Sequence, residues 1–162
     1  MKESLDATDW RILAELQEDG RMTNVALSER LGLSAPPTLR RVKALEEAGL
    51  IQGYRALIDE KALGYAVTGF AFVGLESQHR PDLDAFIGWM DRSPAVREAH
   101  MLSGEIDFVL KCVARDVEAF QSFIDELTSL DNVAHVRTAL ALKRVKDAAG
   151  TPLEGHLPEA EA

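Results

Sequence analysis

The segment from Thr23 to Gly53, TNVALSERLGLSAPPTLRRVKALEEAGLIQG, limits the possible folds of this chain more than any other stretch. It predicts two short helices joined at Gly32, because glycine readily takes the left-handed conformation that ends many helices. The second helix is expected to follow Ser34 as its N-cap, with Pro36 and Pro37 in its first turn, where a missing amide proton costs little. The extended piece expected after this helix completes a winged helix-turn-helix.

The second of these helices is predicted to carry a basic outer face. Apolar residues recur along it at a spacing of three and indicate an inward stripe of Leu39, Val42 and Leu45. At about 100° per residue, Arg40 points outward, and Arg41 and Lys43 lie at the borders of the stripe, within reach of DNA phosphates. A basic run is usually only a solvated surface, but this run coincides with the helix-turn-helix pattern. We therefore predict that double-stranded DNA is contacted by Ser34, Pro36, Pro37, Thr38, Arg40, Arg41, Lys43 and Arg55.

Residues 66–146 show a different pattern, in the order strand, helix, strand, strand, helix, strand. The expected strands are 66–75, 96–102, 108–113 and 133–145, and the expected helices are 81–92 and 117–127. This βαββαβ order predicts a ferredoxin-like domain. The fold class is therefore α+β, with a winged helix-turn-helix domain at residues 1–60, a hinge to about residue 65 and a ferredoxin-like domain at residues 66–146.

Both faces of the first strand of the second domain are apolar. Along this strand Val67, Ala71, Val73 and Leu75 alternate with Ala66, Phe70 and Phe72. Two helices can cover only one face of the sheet, and a large exposed apolar surface is a liability on a monomer. We therefore expect a homodimer formed through the uncovered face, which also lets two recognition helices read two half-sites. The alternation alone leaves open which set of residues faces the partner.

The chain resembles the Lrp/AsnC family of transcription regulators over about residues 5–146. The resemblance rests on LDATDWRILAELQEDGR before the helix-turn-helix, on GLIQGYRALIDEKALG after it, and on HMLSGEIDFVLKCVA and VRTALALKRVK in the second domain. It implies an N-terminal winged helix-turn-helix, a C-terminal ligand-sensing domain of the RAM/AsnC type, and dimers that often assemble to octamers.

A second candidate site is the loop between the second and third predicted strands, formed by Ser103, Gly104, Glu105, Ile106 and Asp107. Gly104 allows close approach to the backbone, and free amide groups there could hold a carboxylate, although the same residues also fit a plain hairpin turn. The resemblance implies that this loop, with Thr138 of a neighbouring subunit, binds an amino acid between dimers. Ile106 stands where the family commonly has an aromatic residue, and Ala139 where a polar residue often follows the hydroxyl. We therefore expect an aliphatic or aromatic amino acid as the effector.

Composition excludes several other classes of protein. The chain has 162 residues and a net charge of -9, divided as -3 over residues 1–60 and -6 over residues 61–162, so the basic surface must act locally. The sequence contains no apolar run of membrane-spanning length, so we expect neither a membrane span nor a secretory leader, and the single cysteine, Cys112, fits the cytoplasm. The histidines lack ligand-type spacing, so no metal or other cofactor is expected. Residues 147–162, rich in proline, glycine and carboxylates, predict a mobile tail.

Two other functions are compatible with parts of the sequence. Siroheme decarboxylases resemble this family in fold and length, but they need histidines and several arginines around a tetrapyrrole. In the second domain the arginines are scattered, and only His100 and His135 are suitably placed. An effector-independent, DNA-bending architectural protein differs from a regulator only in specificity. We expect a sequence-specific transcription regulator and no enzymatic activity.

Overall fold

The computed structural model describes residues 5–147, 150–153 and 155, which fall into two units. The first unit contains the described residues up to Leu57 and those from Lys146 onward, and the second runs from Ile58 to Val145. The second unit therefore begins close to residue 60, where the sequence predicted the end of the first domain. Within the described ranges, no helix has the length and apolar character that crossing a membrane requires.

The described part of the first unit contains three helices: α1 spans Ala7–Glu18, α2 spans Asn24–Leu31 and α3 spans Ala35–Glu47. Helix α1 begins at a capping box, in which the Asp6 carboxylate accepts a hydrogen bond from the Asp9 amide and the Asp9 carboxylate accepts one from the Asp6 amide. Buried side chains from all three helices make one core, namely Ile12, Leu27, Leu31, Val42 and Leu45. This core fixes α2 and α3 in the predicted helix-turn-helix arrangement.

The second unit is a four-stranded antiparallel sheet with two helices, and it confirms the predicted βαββαβ order. Its elements are β1 (Val67–Leu75), α4 (Arg80–Arg92), β2 (Val96–Met101), β3 (Phe108–Ala114), α5 (Val117–Thr128) and β4 (Val133–Leu140). The strands lie in the order β2-β3-β1-β4, so β2 and β4 are the two edges. This is the ferredoxin-like arrangement that the sequence predicted.

The helices pack on the face of β1 that carries its odd-numbered residues. Ala71 and Val73 are fully buried there, and a Cβ atom added to Gly69 would overlap the ring of Phe120 on α5. The even-numbered residues Phe70 and Phe72 lie on the opposite face and are half-buried. The structure therefore decides the question that the alternation left open: the set containing Phe70 and Phe72 is the face without helices.

Strand β4 is shorter than the sequence predicted, because it runs out of backbone partners. The amide of Ala141 still donates to the carbonyl of Thr68 at 2.8 Å. Beyond that bond Leu142 and Val145 are exposed, and the described residues contain no neighbouring strand that could extend the ladder.

The extended piece that the sequence predicted after α3 forms no strand within residues 52–58.

Part of the C-terminal segment contacts α1. The side-chain amide of Gln17 donates to the carbonyl of Thr151 at 2.9 Å, and its side-chain oxygen accepts from the amide of Thr151 at 3.0 Å. Leu153, two residues further along the chain, is buried. Composition had predicted a mobile tail over residues 147–162; residues 148–149, 154 and 156–162 lie outside the described part of the chain.

Candidate DNA interface and effector site

The turn of the helix-turn-helix follows the local chemistry of the sequence. Thr23 caps α2 by accepting a hydrogen bond from the amide of Ala26 at 3.1 Å. Gly32 ends the helix with φ at +69°, a conformation that a side chain would strain. The amide of Leu33 then donates to the carbonyl of Ser28 at 2.9 Å, which closes the turn and directs the chain into α3.

The inward face of α3 differs from the predicted stripe. Thr38 is 0% exposed and lies with Val42 and Leu45 on the buried face, whereas Leu39 is 38% exposed. Burial of Thr38 is tolerated because its hydroxyl donates to the carbonyl of Ser34 at 3.0 Å, so no polar group is left unpaired. The prediction of Leu39 as a core residue is therefore wrong, and the side chain of Thr38 is not available to DNA.

The outer face of α3 keeps the basic character that the sequence predicted. Arg40 and Lys43 are exposed, as are Ser34 and Pro36 at the start of the helix, while Pro37 is half-buried. Ser34 occupies the N-cap position without a capping hydrogen bond from its side chain, so its hydroxyl is not committed to the helix end. Among these side chains, Arg40 and Lys43 supply two exposed positive charges.

Arg41 lies away from this surface. Its Nη1 atom contacts Asp9 Oδ1 at 2.7 Å and Asp6 Oδ2 at 2.8 Å, so it joins α3 to the N-terminus of α1. The hydrogen bonds from Asp9 and then Asp6 raise the pKa of the Arg41 guanidinium. The pKa of the Asp6 carboxyl is lowered, chiefly by the hydrogen bond from the Asp9 amide and further by Arg41. The predicted phosphate contact of Arg41 stays untested, but the guanidinium already has two anionic partners.

Residues after α3 are anchored by one aromatic side chain. The hydroxyl of Tyr54 donates to Glu46 Oε1 at 3.0 Å, and burial, followed by this hydrogen bond, raises the pKa of Tyr54. Arg55 follows directly and is exposed. Its side chain is thus accessible at the position where the sequence predicted a phosphate contact.

The loop between β2 and β3 is held on β1 through Asp107. Its carboxylate accepts from the amide of Leu75 at 2.7 Å and from the side-chain amide of Gln78 at 2.7 Å, and its own amide donates to the carbonyl of Val73 at 3.0 Å. Gly104 has φ at +134°, and the space around its Cα is open. Along the loop Ser103, Gly104 and Glu105 are exposed, while Ile106 and Asp107 are half-buried. Asp107 therefore has a structural role that its sequence position did not reveal.

Thr138 does not join this loop within one chain. It is exposed on β4, where it pairs with Ala71 of β1. The loop closes the other end of the strand order, between β2 and β3. Ala139 pairs with Phe70 and belongs to the face without helices. The resemblance implies a site that takes this loop from one copy of the chain and Thr138 from another.

A groove of about 470 Å³ lies beside the loop, between α4 and β2, and sequence reasoning missed it. Its apolar floor includes Met101, which ends β2, and Phe108, which begins β3. The charged side chains at this groove are Asp91, Arg97 and Glu98. Spacing along the chain gives no signal for such a groove, because it forms between a helix and an edge strand.

Comparison with protein-family models and with curated proteins covers nearly the whole chain. Residues 5–52 match a winged helix-turn-helix DNA-binding domain, and residues 68–151 match the Lrp/AsnC ligand binding domain. The leucine-responsive regulatory protein of Rhizobium meliloti is 57% identical over 145 residues, which is 89% of this chain and 93% of that protein. The Bkd operon transcriptional regulator of Pseudomonas aeruginosa is 39% identical over 92% of this chain and 98% of its own length.

Solved structures of transcription regulators have folds similar to that of this chain. A transcriptional regulator of Neisseria meningitidis, crystallised as a complex with L-Met, has a TM-score of 0.90 and 36% identity, covering 95% of this chain and all of that one. AsnC of Escherichia coli has a TM-score of 0.81 and 25% identity, covering 93% and 99% of the two chains.

Proposed function

This chain belongs to the Lrp/AsnC family of transcription regulators, and from that premise we propose that it binds operator DNA as a homodimer through α3 and responds to an amino acid. The family assignment makes the chain a DNA-binding regulator with a ligand-binding domain. The contacts that carry recognition, the identity of the effector and the assembly belong to the proposal. A regulator of this kind acts where the chromosome lies, which for its bacterial relatives is the cytoplasm.

The outer face of α3 is the observation that carries the DNA-binding part. Arg40 lies about 165° from the centre of the buried stripe of Thr38, Val42 and Leu45, when successive residues are spaced by about 100°. A side chain in that position projects away from the first unit and toward a major groove that receives α3. Lys43 and Arg55 are exposed and suited to phosphates. The proposed DNA-contacting set is therefore Ser34, Pro36, Pro37, Arg40, Lys43 and Arg55.

Mobility-shift titration of an operator found by genomic selection tests this set. Arg40→Ala should weaken specific binding by about 1 to 3 kcal/mol, because an arginine that pairs with a guanine makes two hydrogen bonds to the base. Arg80→Ala is the matched control, since it removes the same charge from an exposed helix of the second unit. Operator affinity that is unchanged in Arg40→Ala, or equally reduced in both variants, would contradict base recognition by Arg40.

The loop from Ser103 to Asp107 is proposed to hold the effector, with Thr138 supplied by a neighbouring subunit. Exposed backbone at Gly104 suits an amino acid carboxylate. Both oxygens of Asp107 accept one hydrogen bond each, and a carboxylate has lone pairs left for an ammonium group. Ile106 makes the surroundings of the loop apolar, which favours an aliphatic or aromatic side chain. The L-Met complex of the Neisseria meningitidis relative supports this ligand class.

Calorimetry with L-methionine, L-leucine and L-phenylalanine tests the effector site. Thr138→Val keeps the shape of an exposed side chain and removes only its hydroxyl, so it should weaken binding without changing the melting temperature. Thr128→Val is the matched control, because the Thr128 hydroxyl donates to carbonyl groups of its own helix. If none of the three amino acids binds at millimolar concentration, or if Thr138→Val binds them as the wild type does, the proposed site is wrong.

The proposed assembly is a homodimer through the face of β1 that carries Phe70 and Phe72, with octamers built from such dimers. Half-buried phenylalanines on a helix-free sheet face suit an isologous interface. We infer no catalytic step for this chain: the relatives are named as transcription regulators, and the exposed basic face of α3 serves DNA binding.

A further inference from the structure

We propose that Arg41 is a positioning residue of the recognition helix α3, which it locks onto the N-terminus of α1, and that it does not bind a DNA phosphate. This inference rests on the proposed DNA contact through α3. It reassigns a cation that the sequence placed among the phosphate contacts.

The two carboxylates that Arg41 meets are arranged to receive it. In the capping box of α1, Asp6 Oδ1 accepts from the Asp9 amide at 2.9 Å and Asp9 Oδ2 accepts from the Asp6 amide at 3.2 Å. Each carboxylate is left with one oxygen, and both of these oxygens bind the same nitrogen, Arg41 Nη1, at 2.8 and 2.7 Å. Helix capping therefore orients both acceptors before the guanidinium arrives.

Charge and burial favour this arrangement over a phosphate contact. Transfer of the guanidinium to DNA would leave two neighbouring carboxylates without a cation. The Asp9 side chain is only 17% exposed, so water replaces a lost partner poorly there. An isolated surface ion pair contributes little to stability. Two preorganised carboxylates that share one guanidinium form a network, and a network contributes more. Arg41 also lies only about 65° from the centre of the buried stripe of α3, on the side that faces α1.

This bridge sets the direction of the base-reading side chain. Arg40 is the residue before Arg41 and projects about 100° further around α3, away from the buried stripe. A small rotation of α3 about its axis moves the end of a long side chain more than it moves the backbone. Release of Arg41 should therefore disturb the alignment of Arg40 with a base edge, while the positive charges that attract any DNA sequence stay in place.

A mutant cycle in the full-length protein separates positioning from direct contact. The variants are Arg41→Gln, the double variant Asp6→Asn/Asp9→Asn, and all three changes together. Asparagine is as good an N-cap as aspartate, so the helix start is preserved. Operator and non-specific DNA are titrated over a series of salt concentrations well below the melting temperature. Lys43→Gln is the control for a phosphate contact and should flatten the slope of log K against log salt by about 0.9.

Positioning predicts three results. Arg41→Gln weakens operator binding on the order of tenfold, in the range of coupling between contacting residues. Its salt slope and non-specific affinity equal those of the wild type. In the Asp6→Asn/Asp9→Asn background, Arg41→Gln causes no further loss.

Three other results overturn the proposal. A salt slope reduced as in Lys43→Gln, with the loss persisting in the Asp6→Asn/Asp9→Asn background, means that Arg41 binds phosphate. A lower melting temperature with an unchanged ratio of operator to non-specific affinity means that the bridge only stabilises the fold. An Arg41→Gln variant that binds the operator as tightly as wild type leaves the bridge without a role in recognition. Failure of the wild type to prefer any operator would instead reject the proposed function itself.

Discussion

Phe72→Asp and Val73→Asp place the same charge on opposite faces of β1, and they should have different consequences. Val73 is 0% exposed and packs in the core beneath α4 and α5. A carboxylate there loses its hydration without gaining a partner, which costs about 4 kcal/mol or more. Since a whole domain is stable by only about 5–15 kcal/mol, we expect the second unit of Val73→Asp to be largely unfolded.

Phe72 lies on the face without helices, so its replacement should spare the fold and break the dimer. In a single chain the side chain is only half-buried, and its loss costs about 1 kcal/mol. An isologous interface contains the residue twice. At about 2 kcal/mol for each copy, the dimer loses about 4 kcal/mol, or roughly a thousandfold in dissociation constant.

Light scattering gives the mass and circular dichroism the folded state of each variant. We expect Phe72→Asp to be a folded monomer that binds the operator weakly, because two half-sites are no longer bound as one unit. Phe72→Leu, which keeps an apolar side chain at the same position, should stay dimeric. A wild type that is monomeric at micromolar concentration, or a Phe72→Asp variant that remains dimeric, refutes the reasoning.

Three further predictions concern single contacts. Thr38→Val should lower the free energy of unfolding by about 1 kcal/mol, since it removes the hydrogen bond to the carbonyl of Ser34, and should leave operator affinity unchanged. Weaker operator binding in a mobility-shift assay would mean that Thr38 contacts DNA after all. Gln17→Ala should lower the melting temperature in the full chain, but not in a chain ending at Lys146, where Thr151 is missing; equal effects in both chains would show that the contact contributes nothing. Burial raises the pKa of Cys112 from 9.0 to about 12, so the folded state holds this proton more tightly. The unfolding free energy of wild type relative to Cys112→Ala should therefore be constant below about pH 9 and fall by about 1.4 kcal/mol per pH unit from there toward pH 12; denaturant titrations that give the same difference at pH 8 and pH 10.5 would contradict this.

Local chemistry made the order of elements predictable. The left-handed Gly32, the pair of helices α2 and α3 and the βαββαβ order of the second unit follow from preferences of residues close together in sequence. The same local reasoning failed at Leu39. The apolar spacing of three predicted that Leu39 is buried on the inner face of α3, but Thr38 is the residue buried there. A threonine can take the buried position once its hydroxyl bonds to a carbonyl one turn away, and no hydrophobic pattern reports that bond.

The sequence by itself determined the fold class, the family and the basic outer face of α3, since these depend on periodicity and on the order of motifs. The tertiary structure alone decided three other points: that Phe72 rather than Val73 lies on the helix-free face, that Arg41 meets Asp9, and that Gln17 meets Thr151. The last two pairs lie 32 and 134 residues apart in the chain. A strand with two apolar faces, or a cation at the border of a helix face, is compatible with several neighbours. Which neighbour it meets is settled only when the elements pack, because contact between distant residues depends on the position of every element between them.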